Sequence, residues 1–269
     1  MAAGPPLPSD DGHLRGLAAA LGLSYLLPLG SGSSASVFKA RSQAGAVAVK
    51  CLALPLEAVA RARTERRARR ERDLARWAAA RGFGPPILRH VTLPLAACLV
   101  MPCADADLQR FWQREARGEP LEVLRQLWHD AFALVTTEAL CAARWMGADL
   151  KPANLLLYRA RRGSWSVHLN DFDARFWRRA EAPETARVIN AVVLLSNALC
   201  QLPLPPALPH FPEAAVTLLQ RLLDADEALL DLLRAQLPWL RRGLLHYSGT
   251  TSLEAHLERL RARALLHGL

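Results

Sequence analysis

Short apolar runs of strand length mark the first hundred residues, and longer stretches with a helical period dominate after residue 120. Strands are expected at Tyr25–Leu29, Val47–Lys50, Ile87–Thr92 and Ala97–Met101, with Pro94 in the last connection. A short helix is expected near residues 12–21 and a long one over Leu56–Arg81. On that long helix Ala60, Thr64, Ala68, Glu71, Leu74, Ala75 and Ala78 share one face, while Glu65 projects roughly 120° away at about 100° per residue. Further on, Leu121–Trp145 reads as one helix with an apolar face of Leu124, Leu127, Trp128, Ala131, Leu134, Val135 and Leu140. Leu155–Leu157 and Ser166–Leu169 read as the two arms of a hairpin whose turn is Arg159–Gly163. Helices follow at Ala186–Leu202, Glu213–Leu223 and Glu227–Gln236. Thr251-Ser252-Leu253-Glu254 is a capping box opening a last helix with Leu253, Leu257, Leu260 and Ala264 on one stripe.

Composition narrows the class without changing this pattern. A chain of 269 residues with 51% hydrophobic and 22% charged residues is globular and fills one large domain or two lobes. Residues 1–11, rich in Pro, Gly and Ala, are expected to form a tail. The five cysteines, Cys51, Cys98, Cys103, Cys141 and Cys200, are odd in number and form no Cys-x-x-Cys pair. That excludes a disulfide framework and implies an intracellular setting, cytoplasmic or nuclear. The apolar run near Leu17–Leu27 follows Asp10 and Asp11 instead of a basic segment, so no signal peptide is expected, and no run is long enough to span a membrane.

The net charge of +9 comes almost wholly from arginine: lysine occurs only at Lys39, Lys50 and Lys151, leaving 34 − 3 = 31 arginines. Arg61, Arg63, Arg66, Arg67, Arg69, Arg70, Arg72 and Arg76 cover the outer faces of the 56–81 helix. They form either a solvated face, partly neutralised by Glu65 and Asp73, or a docking patch for an acidic partner such as a protein substrate. Nucleic acid is not the expected partner, because no aromatic residues interleave with the basic ones. The eight histidines are scattered and suggest no metal cluster with cysteine.

The candidate chemistry lies between Met146 and Phe172. Asp149, Lys151, Asn154 and Asp171 stand on two polar segments joined by the expected hairpin, which brings its ends together although Asp149 and Asp171 are 171 − 149 = 22 positions apart. Carboxylates with a carboxamide between them make a hard-oxygen site of the kind Mg²⁺ prefers when it also holds phosphate oxygens. A lysine beside them adds a point charge for a phosphate. Elsewhere, Lys50 within an apolar strand needs a counter-charge, since an unpaired buried ammonium is costly.

Asp149-Leu150-Lys151-Pro152-Ala153-Asn154 followed by Asp171-Phe172 resembles the catalytic loop and metal-binding motif of the protein kinase superfamily. Gly30-Ser31-Gly32-Ser33-Ser34-Ala35-Ser36-Val37 resembles the kinase glycine-rich loop, with Ala35 in place of its third glycine, and Val47-Ala48-Val49-Lys50 resembles the strand carrying the phosphate-contacting lysine. Leu99–Ala104 is similar to the last strand and hinge, and Ala182-Pro183-Glu184 to the end of an activation segment. The resemblance implies an α+β, bilobal protein-kinase-like fold. Its N-lobe is small and β-rich with one helix (12–102), its C-lobe larger and mainly helical (103–269). It implies a Ser/Thr protein kinase using ATP and Mg²⁺. In this sequence it puts Lys50 on the α- and β-phosphates and a glutamate on Lys50, which helical phase makes Glu71. Asn154 and Asp171 would hold Mg²⁺, Asp149 would accept the substrate hydroxyl proton, and Lys151 would steady the γ-phosphate. Nucleotide contacts fall to Gly30, Ser31, Gly32, Val37, Met101, Cys103, Ala104 and Asp107. Asp107 also reads as the N-cap of a helix from Leu108.

Three features depart from the family pattern. Gly147-Ala148 replaces the His-Arg before Asp149, with Trp145 or Met146 expected to fill the space of the missing ring. Asp173 replaces the glycine after Asp171-Phe172, and Ala182 comes only 182 − 172 = 10 positions after Phe172. The missing arginine and short segment imply activity without a phosphorylation switch. Two alternatives stay open: an ATP-binding pseudokinase scaffold, and a small-molecule kinase of kinase-like fold.

Overall fold

Lys50 lies in the middle strand of a five-stranded antiparallel sheet, in a segment whose small and β-branched residues are buried on both faces. The computed structural model of the chain describes residues 11–31, 35–160, 163–202 and 208–266. It divides into two units: the described residues up to Ala104 together with Asp171–Ala174, and Asp105–Asn170 with Arg175 onward.

The first unit is built from α1 (Asp11–Ala20), β1 (Leu27–Ser31), β2 (Ser36–Ser42), β3 (Gly45–Ala53), α2 (Ala58–Ala79), β4 (Arg89–Thr92) and β5 (Ala96–Pro102). Its strands lie in the spatial order β1-β2-β3-β5-β4. Residues opposite one another in an antiparallel ladder share a face. Val37 and Leu99 flank Lys50, and Met101 pairs with Ala48, so these five residues share one face. The other face carries Phe38, Ala40, Val47, Val49, Cys51, Cys98 and Val100, which form a continuous core with Leu14, Leu17, Ala18 and Leu21. Helix α1 therefore seals the back of the sheet and leaves the Lys50 face to α2. The unit has both helices that the sequence pattern predicts, where the resemblance implied one, because the short helix packs as core. Cys51 and Cys98 face each other on the sealed side with their sulfurs 3.0 Å apart, and the Sγ contact together with burial pushes the Cys51 thiol well above its ordinary pKa.

Helix α2 begins where Glu57 caps it, its carboxylate accepting from the N–H groups of Val59 (2.9 Å) and Ala60 (2.7 Å). Its buried residues are Ala68, Glu71, Leu74, Ala75 and Ala78. Ala68 packs with Leu52, Leu54 and Ala97, which docks the helix on the sheet beside Lys50.

The second unit is mainly helical. It comprises β6 (Ala106–Asp107), α3 (Leu108–Arg114), α4 (Leu121–Val135), α5 (Glu138–Ala142), β7 (Trp145–Gly147), β8 (Leu155–Arg159), β9 (Trp165–Leu169) and β10 (Trp177–Arg179). Helices α6 (Pro183–Gln201), α7 (Glu213–Leu223), α8 (Glu227–Leu240), α9 (His246–Ser248) and α10 (Leu253–Leu266) complete it, with a π-helical turn at Arg241–Leu245. The single helix expected over Leu121–Trp145 is broken at Thr136-Thr137: Thr136 turns its hydroxyl back to the Phe132 carbonyl (2.8 Å), and the chain restarts as α5 before entering β7. Ser252, not Thr251, caps α10 by accepting from the Ala255 N–H (3.2 Å). Among the described residues, no helix is long and apolar enough to cross a membrane.

His256 of α10 is 1% exposed, and neither ring nitrogen has a hydrogen-bond partner among the described residues. Burial, with the nearby Arg259 charge, pushes its pKa down to about 4 from the ordinary 6.5. The unfolded chain takes up this proton near pH 6.5 and the folded chain only near 4. Stability is therefore complete above pH 6.5 and falls between the two values, by at most about 3 kcal/mol. Urea titrations from pH 7 to 4 should show this slope, and His256→Leu should flatten it.

Candidate active site

Lys50 is the charged centre of the first unit. Its Nζ donates to Glu71 Oε1 at 2.5 Å and to Asp171 Oδ1 at 2.6 Å. β3 supplies the lysine, the inward face of α2 supplies the glutamate, and the segment Asp171–Ala174 supplies the second carboxylate. Burial by itself would lower the lysine's pKa, but the Asp171 and Glu71 carboxylates outweigh it and hold Lys50 above its ordinary value. Lys50 is thus an ammonium throughout the physiological range. Glu71, 2% exposed, is pushed upward by burial against the pull of Lys50, and Asp171 and Asp173 add to the upward push. Its Oε2 is buried without a hydrogen-bond partner among the described residues. Lys50 carries the charge of the pair, and burial makes Glu71 a weaker acid than an ordinary glutamate.

Asp171 has φ +61°, a left-handed conformation uncommon outside glycine, although aspartate tolerates it better than most residues. Such a backbone persists where its surroundings over-determine it. Phe172 is buried, its Cε2 3.4 Å from where a Cβ on Gly84 would sit, and Asp173 is ion-paired with Arg67 of α2.

The second unit holds the other polar set. Lys151 Nζ donates to Asp149 Oδ1 (3.0 Å) and Oδ2 (3.1 Å) and to the Tyr247 hydroxyl, and it lies 4.2 Å from the centre of the Tyr247 ring. Asn154 Nδ2 donates to the Asp149 carbonyl (2.8 Å) and to Asp149 Oδ2 (3.2 Å). With its nitrogen committed, Asn154 has its oxygen left to offer a cation. The β8–β9 hairpin fixes this geometry: the Asn170 N–H donates to the Asn154 carbonyl at 2.9 Å, and Asp171 is the next residue.

The loop carrying Asp149 is held by groups the sequence did not single out. Asn190 of α6, fully buried, accepts from the Gly147 N–H (2.9 Å) and donates to the carbonyls of Val135 (3.1 Å) and Trp145 (3.0 Å). Asn197, two turns along α6, donates to the Leu150 carbonyl (2.7 Å). Two asparagines seven apart in an apolar helix were the available signal, since buried amides need partners. Leu150 and Trp177 fill the space beside Gly147: a Cβ there would lie 2.9 Å from Leu150 Cγ and 3.2 Å from Trp177 Cη2. Trp177 reaches that place because β10 pairs with β7, opposite Gly147. Beneath the loop, the π-helical turn brings Gly243 against the Ala148 carbonyl.

The expected nucleotide contacts are placed as follows. Gly30 pairs with Val37 and Ser31 with Ser36 at the β1–β2 turn, Val37 stands across from Lys50, and Gly32 lies outside the described residues. Met101 is buried at the end of β5; the Cys103 N–H donates to the Ala46 carbonyl (3.2 Å), and Ala104 ends the first unit. Asp107 caps α3, accepting from the Arg110 N–H (2.9 Å) and pairing with Arg110 Nε (3.3 Å), so both its oxygens are engaged locally.

Among the described residues, no group of three or more His, Cys, Asp or Glu side chains could hold a metal. Asp171 carries a carboxylate and Asn154, in the second unit, a carboxamide oxygen; both are donor types that Mg²⁺ takes when phosphate and water fill the rest of its shell. The donor types therefore fit that ion.

A β-rich unit with a five-stranded antiparallel sheet and a mainly helical unit together make an α+β fold. No family model matches the chain, and no curated protein does. Among solved structures, the crystal structure of a kinase domain is similar to it, with a TM-score of 0.43 and 14% identity over 58% of this chain. The chain spans about half of that structure, 51% of its length.

Proposed function

We propose that this chain is a phosphotransferase that moves the γ-phosphoryl group of MgATP to serine or threonine hydroxyls of a protein. The observation that carries the reading is Lys50 bridging Glu71 and Asp171: a buried ammonium held charged, with one carboxylate from α2 and one from the Asp171-Phe172 segment. Phosphoryl transfer asks a protein mainly for positioning and charge neutralisation. Lys50 binds the α- and β-phosphate oxygens, and Glu71 keeps its ammonium in place. Asp171 and Asn154 would hold Mg²⁺, as the resemblance implies, and the ion would supply charge neutralisation on the phosphates. Asp149 takes the proton from the attacking hydroxyl as the new P–O bond forms and ADP leaves with the bridging oxygen. Lys151, steadied by Tyr247, offsets charge on the γ-phosphoryl oxygens. The lysine in Asp149-Leu150-Lys151 supports serine and threonine over tyrosine as acceptors, by resemblance. The absent arginine at Ala148 supports activity that needs no phosphorylation of the segment before Ala182.

The test is transfer from labelled ATP to acidic and basic protein substrates, followed by identification of the labelled residue. Phosphoserine or phosphothreonine is expected. Label on tyrosine or on a small molecule would overturn the substrate class, and MgATP binding without transfer would leave a pseudokinase scaffold.

A further inference from the structure

Arg67 was expected on the basic outer face of α2, solvated or docking an acidic partner, beside Arg61 and Arg72, which pair locally with Glu65 (2.9 Å) and Asp73 (2.7 Å). Arg67 does otherwise. Its Nε donates to Asp173 Oδ1 at 3.1 Å and its Nη2 to Asp173 Oδ2 at 2.6 Å, a two-pronged contact with a carboxylate that is 2% exposed. Arg67 and Glu71 lie one helical turn apart, so α2 holds the segment Asp171-Phe172-Asp173 at both ends. It reaches Asp171 through the Glu71–Lys50 pair and Asp173 directly through Arg67. Between the two ends Phe172 is buried near Gly84, and the backbone at Asp171 is in the left-handed region that needs holding.

We propose that Arg67 is a positioning residue that, through its ion pair with Asp173, fixes Asp171 in the orientation that faces Lys50. The functional part of this inference rests on the phosphotransferase reading. Asp173, where the kinase pattern has glycine, is on this account one half of a built-in clamp. The charge it brings beside Asp171 is neutralised by Arg67. The clamp makes the arrangement of Asp171 a property of the folded chain, independent of any covalent modification.

The test is a double-mutant cycle on the full chain with Arg67→Ala, Asp173→Gly and both together, plus Arg67→Lys. One readout is the Mg²⁺ concentration that half-saturates transfer at fixed ATP; the other is hydrogen exchange of the amides around Phe172 without nucleotide. Arg67→Ala should raise the half-saturating Mg²⁺ about tenfold and speed that exchange about tenfold, since it removes the two-pronged cation from a buried carboxylate beside Asp171. The double variant should return both to within about threefold of the parent, because glycine at 173 needs no partner, and Arg67→Lys should fall between. Additive defects in the double variant, or an Arg67→Ala protein identical to the parent in both readouts, would overturn the clamp. Exchange is read without nucleotide, so coupling there with no transfer from any variant would support the clamp and overturn the phosphotransferase reading instead.

Discussion

Replacing Lys50 with methionine is expected to lower the stability of the first unit by about 3 kcal/mol and to abolish MgATP binding. Removing one partner of a buried ion pair costs about 3–5 kcal/mol, because the remaining charge is left uncompensated in low dielectric. Here two carboxylates lose their shared cation, and Glu71, 2% exposed, has no other donor among the described residues. The low end of the range applies for two reasons. Asp171 retains 29% side-chain exposure, and Glu71, already pushed upward, can relieve itself by taking up a proton. Lys50→Met combined with Glu71→Gln should then recover most of the stability and none of the nucleotide binding. Chemical denaturation and calorimetric titration with MgATP separate the two effects. Equal affinity for MgATP in Lys50→Met and the parent would show that this lysine does not touch phosphate.

The second large effect is at Gly243. A Cβ there would run into the Ala148 carbonyl oxygen and lie 2.5 Å from its carbon and 3.3 Å from the Asp149 nitrogen. These are backbone atoms, so no rotamer change can make room. Either the Arg241–Leu245 turn or the loop carrying Asp149 must move. Gly243→Ala should therefore cost at least about 3 kcal/mol, at the upper end of what overpacking usually costs. Any protein that still folds should transfer phosphate poorly, because Asp149 has been displaced. Gly16→Ala is the control: Gly16 lies in α1 with nothing within 4 Å of the added carbon. Removing that helical glycine should raise stability by roughly 0.5–1 kcal/mol. Unfolding midpoints of the two variants measured together would check both signs.

The sheet, the hairpin and the inward face of α2 were legible because each obeys a local period. Strands of period two and a helix of period 3.6 choose Glu71 over Glu65, and Glu65 indeed turns outward to Arg61. The Asp149–Asn154 loop was legible because its residue types and spacing are unusual. What the sequence did not reveal depends on contacts distant along the chain. Arg67 sits only roughly 40° from Glu71 on the helical wheel, so phase pointed it inward. The general expectation that arginine faces water hid this, and Asp173, 106 positions away, supplied the reason to override it. Likewise nothing local marks Gly243 as the place where a π-helical turn touches the Ala148 carbonyl, or Tyr247 as a partner of Lys151. The break at Thr136-Thr137 was within reach, since two adjacent β-branched hydroxyl residues compete with helical hydrogen bonding.

The proposed transfer of the γ-phosphoryl group of MgATP has Asp149 as its proton acceptor. A single-turnover reaction with labelled MgATP and a serine- and threonine-rich protein, run beside Asp149→Asn, tests it most directly. The account predicts Mg²⁺-dependent label on the acceptor protein, lost by a factor of about 10²–10⁴ in the variant while MgATP affinity is kept. Transfer at the same rate in Asp149→Asn, or no transfer from a parent protein that binds MgATP, would contradict it.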